Sequence, residues 1–197
     1  MTKKNKKPKI QYDRDYKFED RVNRVFDILR KTNVCTRDNL IKYSHFMNKN
    51  ISKSRFDILV KLKYIKKIPV VDKRTKEEYE AYQLTDRGKL YCKDYLDGSL
   101  YASTSTFHDY HQSNYLFENF SIDEIETYKH EKELIAPSET DVHISIQQNM
   151  SRPDGKITVN GEDIFIETIT KDYSPAKIKE KITYVEYHCA KCLYNVL

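Results

Sequence analysis

"RPDGKITVNGEDIFIETITKDYSPAKIKEKITY", residues 152–184, decides how the second half of the chain is read. The runs KITV and DIFIETI flank Asn160-Gly161, a pair that readily supplies the positive backbone angles of a tight two-residue turn. Two antiparallel strands are therefore expected over 156–169. A helix is expected from about residue 174 to residue 187, with Ile178, Ile182 and Val185 on one side. One acid, Asp154, stands just before the first strand, and a second, Glu167, lies within the second strand.

Strand, strand and helix with an acid ahead of the first strand is the arrangement at the centre of the PD-(D/E)XK nuclease fold. In that chemistry two carboxylates meet across the hairpin and hold a divalent metal, which activates water and stabilises the charge gathering on the phosphate. Asp154 and Glu167 are thus the metal-ligand and catalytic candidates. Mg2+ is the expected cofactor if this site is active, and none is expected otherwise. The lysine that usually follows the second acid by two residues is replaced here by Ile169. Lys171 shares the side of Glu167 if the strand runs that far, because side chains alternate along a strand, and it is the candidate catalytic lysine. Lys181, on the following helix, is another substitute. The competing reading has Asp154 opening a turn, Glu167 paired with Lys171 or Lys181, and the fold kept as a scaffold. The missing lysine favours that reading.

Toward the N-terminus the pattern changes. "MTKKNKKPK" opens a basic tail, residues 1–14, expected to be disordered. Phe18, Val22, Val25, Phe26 and Leu29 recur at helical spacing, so a first helix ending near Asn33 should turn one apolar stripe to a core. A second helix is capped by Thr36. A third is capped by Ser52 and expected to bury Phe56, Leu59, Val60 and Leu62. A hairpin with a charged turn over 72–78 follows, and then a helix capped by Thr85. Three helices, a basic hairpin and a helix is the order of a winged helix-turn-helix domain, here 15–98. Its third helix would present Lys49, Lys53, Ser54, Arg55 and Lys61 to DNA, with Arg55 the candidate for reading bases. Lys73, Arg74 and Lys76 at the hairpin tip would contact phosphates. The alternative is a winged helix used for protein dimerisation.

A Gly/Ser/Thr-rich stretch over 97–106 marks the boundary to a second unit, 99–197. It begins with a helix, "FHDYHQSNYLFENF", whose apolar residues are Phe107, Tyr110, Tyr115, Leu116 and Phe117. "IDEIETYKHEKELI" fits a strand or a helix equally, and "SETDVHISIQQNM" carries a short strand signal. The fold class expected is α+β, a winged helix followed by a small nuclease-like domain.

The net charge of +5 conceals a division: residues 1–98 hold 26 Lys/Arg against 14 Asp/Glu, and residues 99–197 hold 9 against 16. A basic half of this kind suits a polyanion, of which nucleic acid is the commonest. No apolar stretch is long enough to span a bilayer and the N-terminus lacks a signal-peptide core, so a cytoplasmic protein without membrane contact is expected. Cys35, Cys92, Cys189 and Cys192 are scattered and expected to be reduced. His108 and His111, at i and i+3, lack further ligands, and "HCAKC" offers His188, Cys189 and Cys192 where structural zinc requires four ligands. No metal is expected at either place.

Several short motifs together resemble the replication-relaxation family of mobile-element proteins. "YQLTDRGKLYC" resembles the family's Y-x-L-T-x-x-G, "FHDYHQSNYLFENF" its His-bearing helix with His111 as the best match, and "RPDGKITVNGEDIFIETI" its Pro-Asp and Glu strands. "IKEKITYVEYH" resembles its K-x-x-x-Y helix through Lys181 and Tyr184 or their neighbours. Two residues after the Glu, where the family commonly carries an acid, this chain has Ile169. The resemblance implies a winged helix that binds an origin and a nuclease-like domain that assists plasmid replication or conjugative transfer. The expected function is a sequence-specific double-stranded DNA-binding accessory protein that positions a relaxase or replication initiator. The alternatives are a metal-dependent endonuclease and a transcriptional repressor acting as a homodimer.

Overall fold

The apolar stripe of the first helix fixes the centre of the molecule. In this computed structural model, which describes residues 18–44, 56–101, 103, 105–134, 151–171, 173–188 and 190–197, helix α1 (Asp20–Thr32) buries Val22, Val25, Phe26, Ile28 and Leu29. It stops at Asn33, which takes a positive φ of 64° and returns its N–H to Leu29 O. Helix α2 (Arg37–Tyr43) starts where Thr36 accepts a hydrogen bond from the Asn39 N–H, as expected of its cap. Residues 56–61 form helix α3, with Phe56 and Leu59 buried. Val60 and Leu62 are 37% and 43% exposed, contrary to expectation. Val60 lies on the outer face of the helix, and Leu62 falls beyond its end, in a turn where Lys63 has φ 59°.

Strands β1 (Ile65–Val71) and β2 (Glu78–Leu84) pair antiparallel, and the turn between them carries the basic tip. Helix α4 (Asp86–Tyr95) is capped by Thr85, whose hydroxyl oxygen accepts from the Gly88 N–H. A side chain at Gly88 would collide with the Tyr64 carbonyl, so glycine permits the close approach of α4 to the end of α3.

Helix α5 (Thr106–Asn119) and helix α6 (Ile122–Glu126) lead to strand β3 (Lys129–His130) and a 3-10 turn over Glu131–Glu133. The stretch that fitted helix and strand equally is thus one followed by the other. Strands β4 (Gly155–Val159) and β5 (Glu162–Ile169) form the expected hairpin, turned by Asn160 and Gly161 at φ 51° and 83°. Helix α7 (Pro175–Tyr187) then crosses over to strand β6 (Lys191–Val196), which runs parallel to β5. The second sheet has the order β3-β4-β5-β6. Strand β6 has no counterpart in the expectations from sequence. Helix α7 buries Lys181, Tyr184 and Val185, whereas Ile182 is 37% exposed. The class is mixed α+β with two small sheets.

The apolar core is continuous across the 97–106 stretch, running from Val22 and Phe26 through Leu116 and Tyr128 to Ile157 and Ile166. Polar ties reinforce it. Arg30 donates to Ser99 O at 2.8 Å and to Glu133 Oε1 at 2.7 Å, Lys31 Nζ to Glu126 O at 2.8 Å, and Lys42 Nζ to Phe117 O at 3.0 Å. The second half therefore sits against α1 and α2 through buried contacts. Among the described residues no helix is long and apolar enough to cross a membrane.

Candidate functional site

The hairpin register brings the two acids together. Gly155 pairs with Ile166, so the residue before Gly155 faces the residue after Ile166, and the Asp154 N–H donates to Glu167 Oε2 at 3.1 Å. Alternation along β5 sends Glu167 to the same face as Phe165, beneath α7, where Phe165 packs on Tyr184 and Val185. Lys181 lies one helical turn before Tyr184 and Val185 on that buried stripe, and its ammonium reaches Glu167.

The contacts are short and nearly all internal. Lys181 Nζ lies 2.6 Å from Glu167 Oε1 and 2.7 Å from Oε2, 3.5 Å from Asp154 Oδ1 and 3.3 Å from the Tyr173 hydroxyl. Asp154 Oδ2 accepts from the Thr168 N–H at 2.7 Å and lies 2.9 Å from His108 Nε2. His108 Nδ1 is 3.4 Å from Asp109 Oδ1, while Asp109 Oδ2 accepts from Asn33 Nδ2 and from the Ser103 hydroxyl, each at 2.7 Å. Gln112 Nε2 donates to the Tyr128 hydroxyl, which donates on to Asp154 O. Asp109, Asp154, Glu167, Lys181 and His108 are all buried.

Burial and neighbouring charge pull the groups in different directions. Glu167 is pushed up to about 7, by burial first and by the charge of Asp154 second, with Lys181 opposing. Burial would also raise Asp154, but the His108 hydrogen bond and the charges of Lys181 and His108 outweigh it and hold this carboxyl below the usual range. Burial would lower His108, and its hydrogen bonds to Asp109 and Asp154 overcome that and raise it to about 10. At neutral pH the site thus holds an imidazolium at His108 against the Asp154 carboxylate, with Glu167 near the midpoint of its titration. Such networks of perturbed groups gather at functional sites, although purely structural ion networks produce them as well.

The site forms part of the floor of a cleft of about 890 Å³. Lys73 and Arg74, at the β1–β2 turn, line it together with Lys171 and Lys177 and with the acids Asp72 and Glu131. His108, Asp154, Tyr173 and Lys181 also open onto it.

Of the residues singled out from sequence, Asp154 and Glu167 come together. Lys171 does not join them: β5 ends at Ile169, and Lys171 is exposed on the cleft wall. The lysine that meets the acids is Lys181. Lys73 and Arg74 line the cleft, while Lys76 is exposed on the same turn with φ 66° and Lys61 is exposed at the end of α3. Lys49, Lys53, Ser54, Arg55 and the cap Ser52 lie outside the described residues, as does the strand signal over 138–150. His108 occupies the site, and His111 packs instead among the rings of Phe107, Tyr110 and Tyr79. His188 ends α7 and Cys192 lies on β6.

Sequence reasoning missed Asp109 and Tyr173 and did not place His108 at the acids. A signal existed in α5, whose buried positions His108, Asp109, Gln112, Ser113, Leu116 and Phe117 recur at helical spacing. The first four are polar, so a search for apolar periodicity passes over them.

Two carboxylates are the right kind of donor for a hard cation such as Mg2+. Here, however, both Glu167 oxygens face Lys181 Nζ, and Asp154 Oδ2 is taken by Thr168 and His108. Asp154 Oδ1 accepts from Lys181 at 3.5 Å, and Glu167 Oε1, 2.6 Å from the same ammonium, makes no hydrogen bond among the described residues. Among the described residues no three His, Cys, Asp or Glu side chains gather as a metal site. As arranged, the residues do not fit a divalent ion, and no chemical step is routed through one. Searches against protein-family models, curated proteins and solved structures find no match.

Proposed function

We propose that the protein binds double-stranded DNA along the cleft between the β1–β2 turn and the β5–α7 segment. The observation that carries this reading is the placement of cations from both halves on one cleft: Lys73 and Arg74 from the hairpin, Lys171 and Lys177 from the second half. A phosphate backbone is a polyanion that such a cluster of cations suits. The order α1, α2, α3, hairpin, α4 supports a winged helix-turn-helix unit over 15–98, and Asp154 with β4, β5 and α7 supports a nuclease-like unit over 99–197. Together with the resemblance to the replication-relaxation family, this extends the reading to an accessory protein at the origin of a mobile element. Its partners would be a relaxase or replication initiator, and a second copy of the chain is a further candidate.

Fluorescence anisotropy with duplex DNA across a salt series tests the binding. Affinity should fall steeply with salt, and Lys73→Ala with Arg74→Ala should reduce the log–log slope by about 2, one for each phosphate that is no longer neutralised. An unchanged slope would remove the hairpin tip from the interface.

A second reading, a metal-dependent endonuclease, is favoured by one observation, the meeting of Asp154 and Glu167 across the hairpin. Incubation of plasmid DNA with Mg2+ or Mn2+ separates the two. Cleavage abolished by Asp154→Ala and by Glu167→Ala would establish the enzyme, and intact plasmid supports binding alone.

A further inference from the structure

We propose that the Lys181 ammonium is the resident cation of the Asp154–Glu167 pair, standing where a nuclease of this design would hold a divalent metal and excluding that metal. The inference rests on the geometry at the acids and stands whether or not DNA enters the cleft.

Three features support it. The first is the count of oxygen lone pairs. Glu167 Oε2 accepts from Asp154 N and from Lys181, Asp154 Oδ2 is shared between Thr168 N and His108, and Glu167 Oε1, which makes no hydrogen bond among the described residues, has the Lys181 ammonium 2.6 Å away in the space an ion would need. A magnesium ion requires near-octahedral oxygen ligands at about 2.0 to 2.1 Å and retains several waters, so it could not enter without expelling the lysine. The second is the anchoring of the lysine itself. Lys181 projects from the buried stripe of α7 that packs Tyr184 and Val185 on Phe165, and Tyr173 stands beside its ammonium. Swinging out would strip the ammonium of its carboxylate partners. The third is charge. His108 already lies against Asp154, and a divalent ion added beside Lys181 would meet repulsion from it. Together these make the pair an ion network centred on Lys181, able to orient β5 against α7 and α5, in which the ammonium occupies the space a metal would take.

The test uses the full chain with Mn2+ as the probe, followed by thermal unfolding and by electron paramagnetic resonance of the free ion. Wild type is expected to show no Mn2+-dependent change that Glu167→Gln removes. Lys181→Ala empties the position and is expected to gain a Mn2+ site. At a hundredfold excess over the dissociation constant its Tm should rise by about 5 to 10 °C, and Glu167→Gln in that background should abolish the rise. If Lys181→Ala is unfolded without metal, recovery of its circular dichroism on adding Mn2+ is the expected result. A wild-type Mn2+ response that depends on Glu167 would overturn the proposal, as would a Lys181→Ala protein that neither binds Mn2+ nor refolds with it.

Discussion

The tip of the β1–β2 hairpin and the floor of the cleft beneath it use charge in opposite ways. At the tip, Lys73, Arg74 and Lys76 are exposed on a turn braced by Asp72, whose Oδ1 accepts from the Arg74 and Thr75 N–H groups. On the floor, Asp154, Glu167, Lys181 and His108 are buried and bound to one another. Exposed cations contribute little to the folded state and remain available to an external anion. Buried ions are expensive to desolvate and become acceptable only when they satisfy each other, which leaves little for a ligand. One region is therefore built to meet a partner, and the other to hold two strands and two helices in register.

The comparison is broken most severely at Lys181. Lys181→Met should cost about 3 to 5 kcal/mol, because Asp154 and Glu167 are left buried with their shared cation gone. For a chain of this size that corresponds to a fall in Tm of about 6 °C or more, measured by calorimetry or circular dichroism. A loss below about 1 kcal/mol would mean that the acids are already neutral or hydrated.

That prediction concerns a residue that sequence reasoning named only second, and the reason is physical. The caps Thr36 and Thr85, the apolar stripe of α1 and the Asn160-Gly161 turn are local signals, in which residues a few positions apart determine the outcome. The choice between Lys171 and Lys181 is not local. It depends on β5 ending at Ile169 and on which face of α7 turns inward, and the apolar pattern suggested Ile178, Ile182 and Val185 where the structure buries Lys181, Tyr184 and Val185. The same holds for His108 and His111, three residues apart on one helix, of which packing alone selects the partner of Asp154. Strand β6 went unread because its six positions are all exposed or half-exposed and show no buried run.

Next in size is Gly155, which begins β4 beside Asp154. A methyl group there would run into the Tyr128 ring, whose hydroxyl is hydrogen-bonded to Gln112 and to Asp154 O. Gly155→Ala is expected to cost about 1 to 3 kcal/mol through overpacking, read as a lowered urea midpoint with an unchanged m-value. If stability is retained, the ring yields more easily than the buried network allows.

A smaller effect is expected from pH. The folded-state pKa of His108 is raised from 6.5 to about 10, so its contribution is fully present below 6.5 and is lost as pH rises toward 10. Glu167 acts in the adjoining window: its carboxyl is raised from 4.5 to about 7, so the folded state binds the extra proton there and stability falls as pH climbs between those values. The contributions of these two groups should therefore decline from pH 4.5 upward, opposed below 6.5 by His111 and His130, whose pKa values burial lowers. His108→Asn should flatten the curve above 6.5, and Glu167→Gln should flatten the part below 7. A wild-type curve that rises between 6.5 and 10 would contradict the assignment of a charged His108.

The smallest stability effect should come from the region that matters most for binding. Lys73→Ala with Arg74→Ala removes two exposed side chains whose charges no buried group needs, so the unfolding free energy should move by no more than about 0.5 kcal/mol. The turn itself should survive, because its hydrogen bonds run from backbone N–H groups to Asp72 rather than through the basic side chains. Unfolding and DNA anisotropy measured on the same preparation should therefore diverge, with the melt unchanged and the affinity reduced. If both fall together, the tip is part of the scaffold, and the contrast between an outward-facing hairpin and a self-satisfied floor no longer holds.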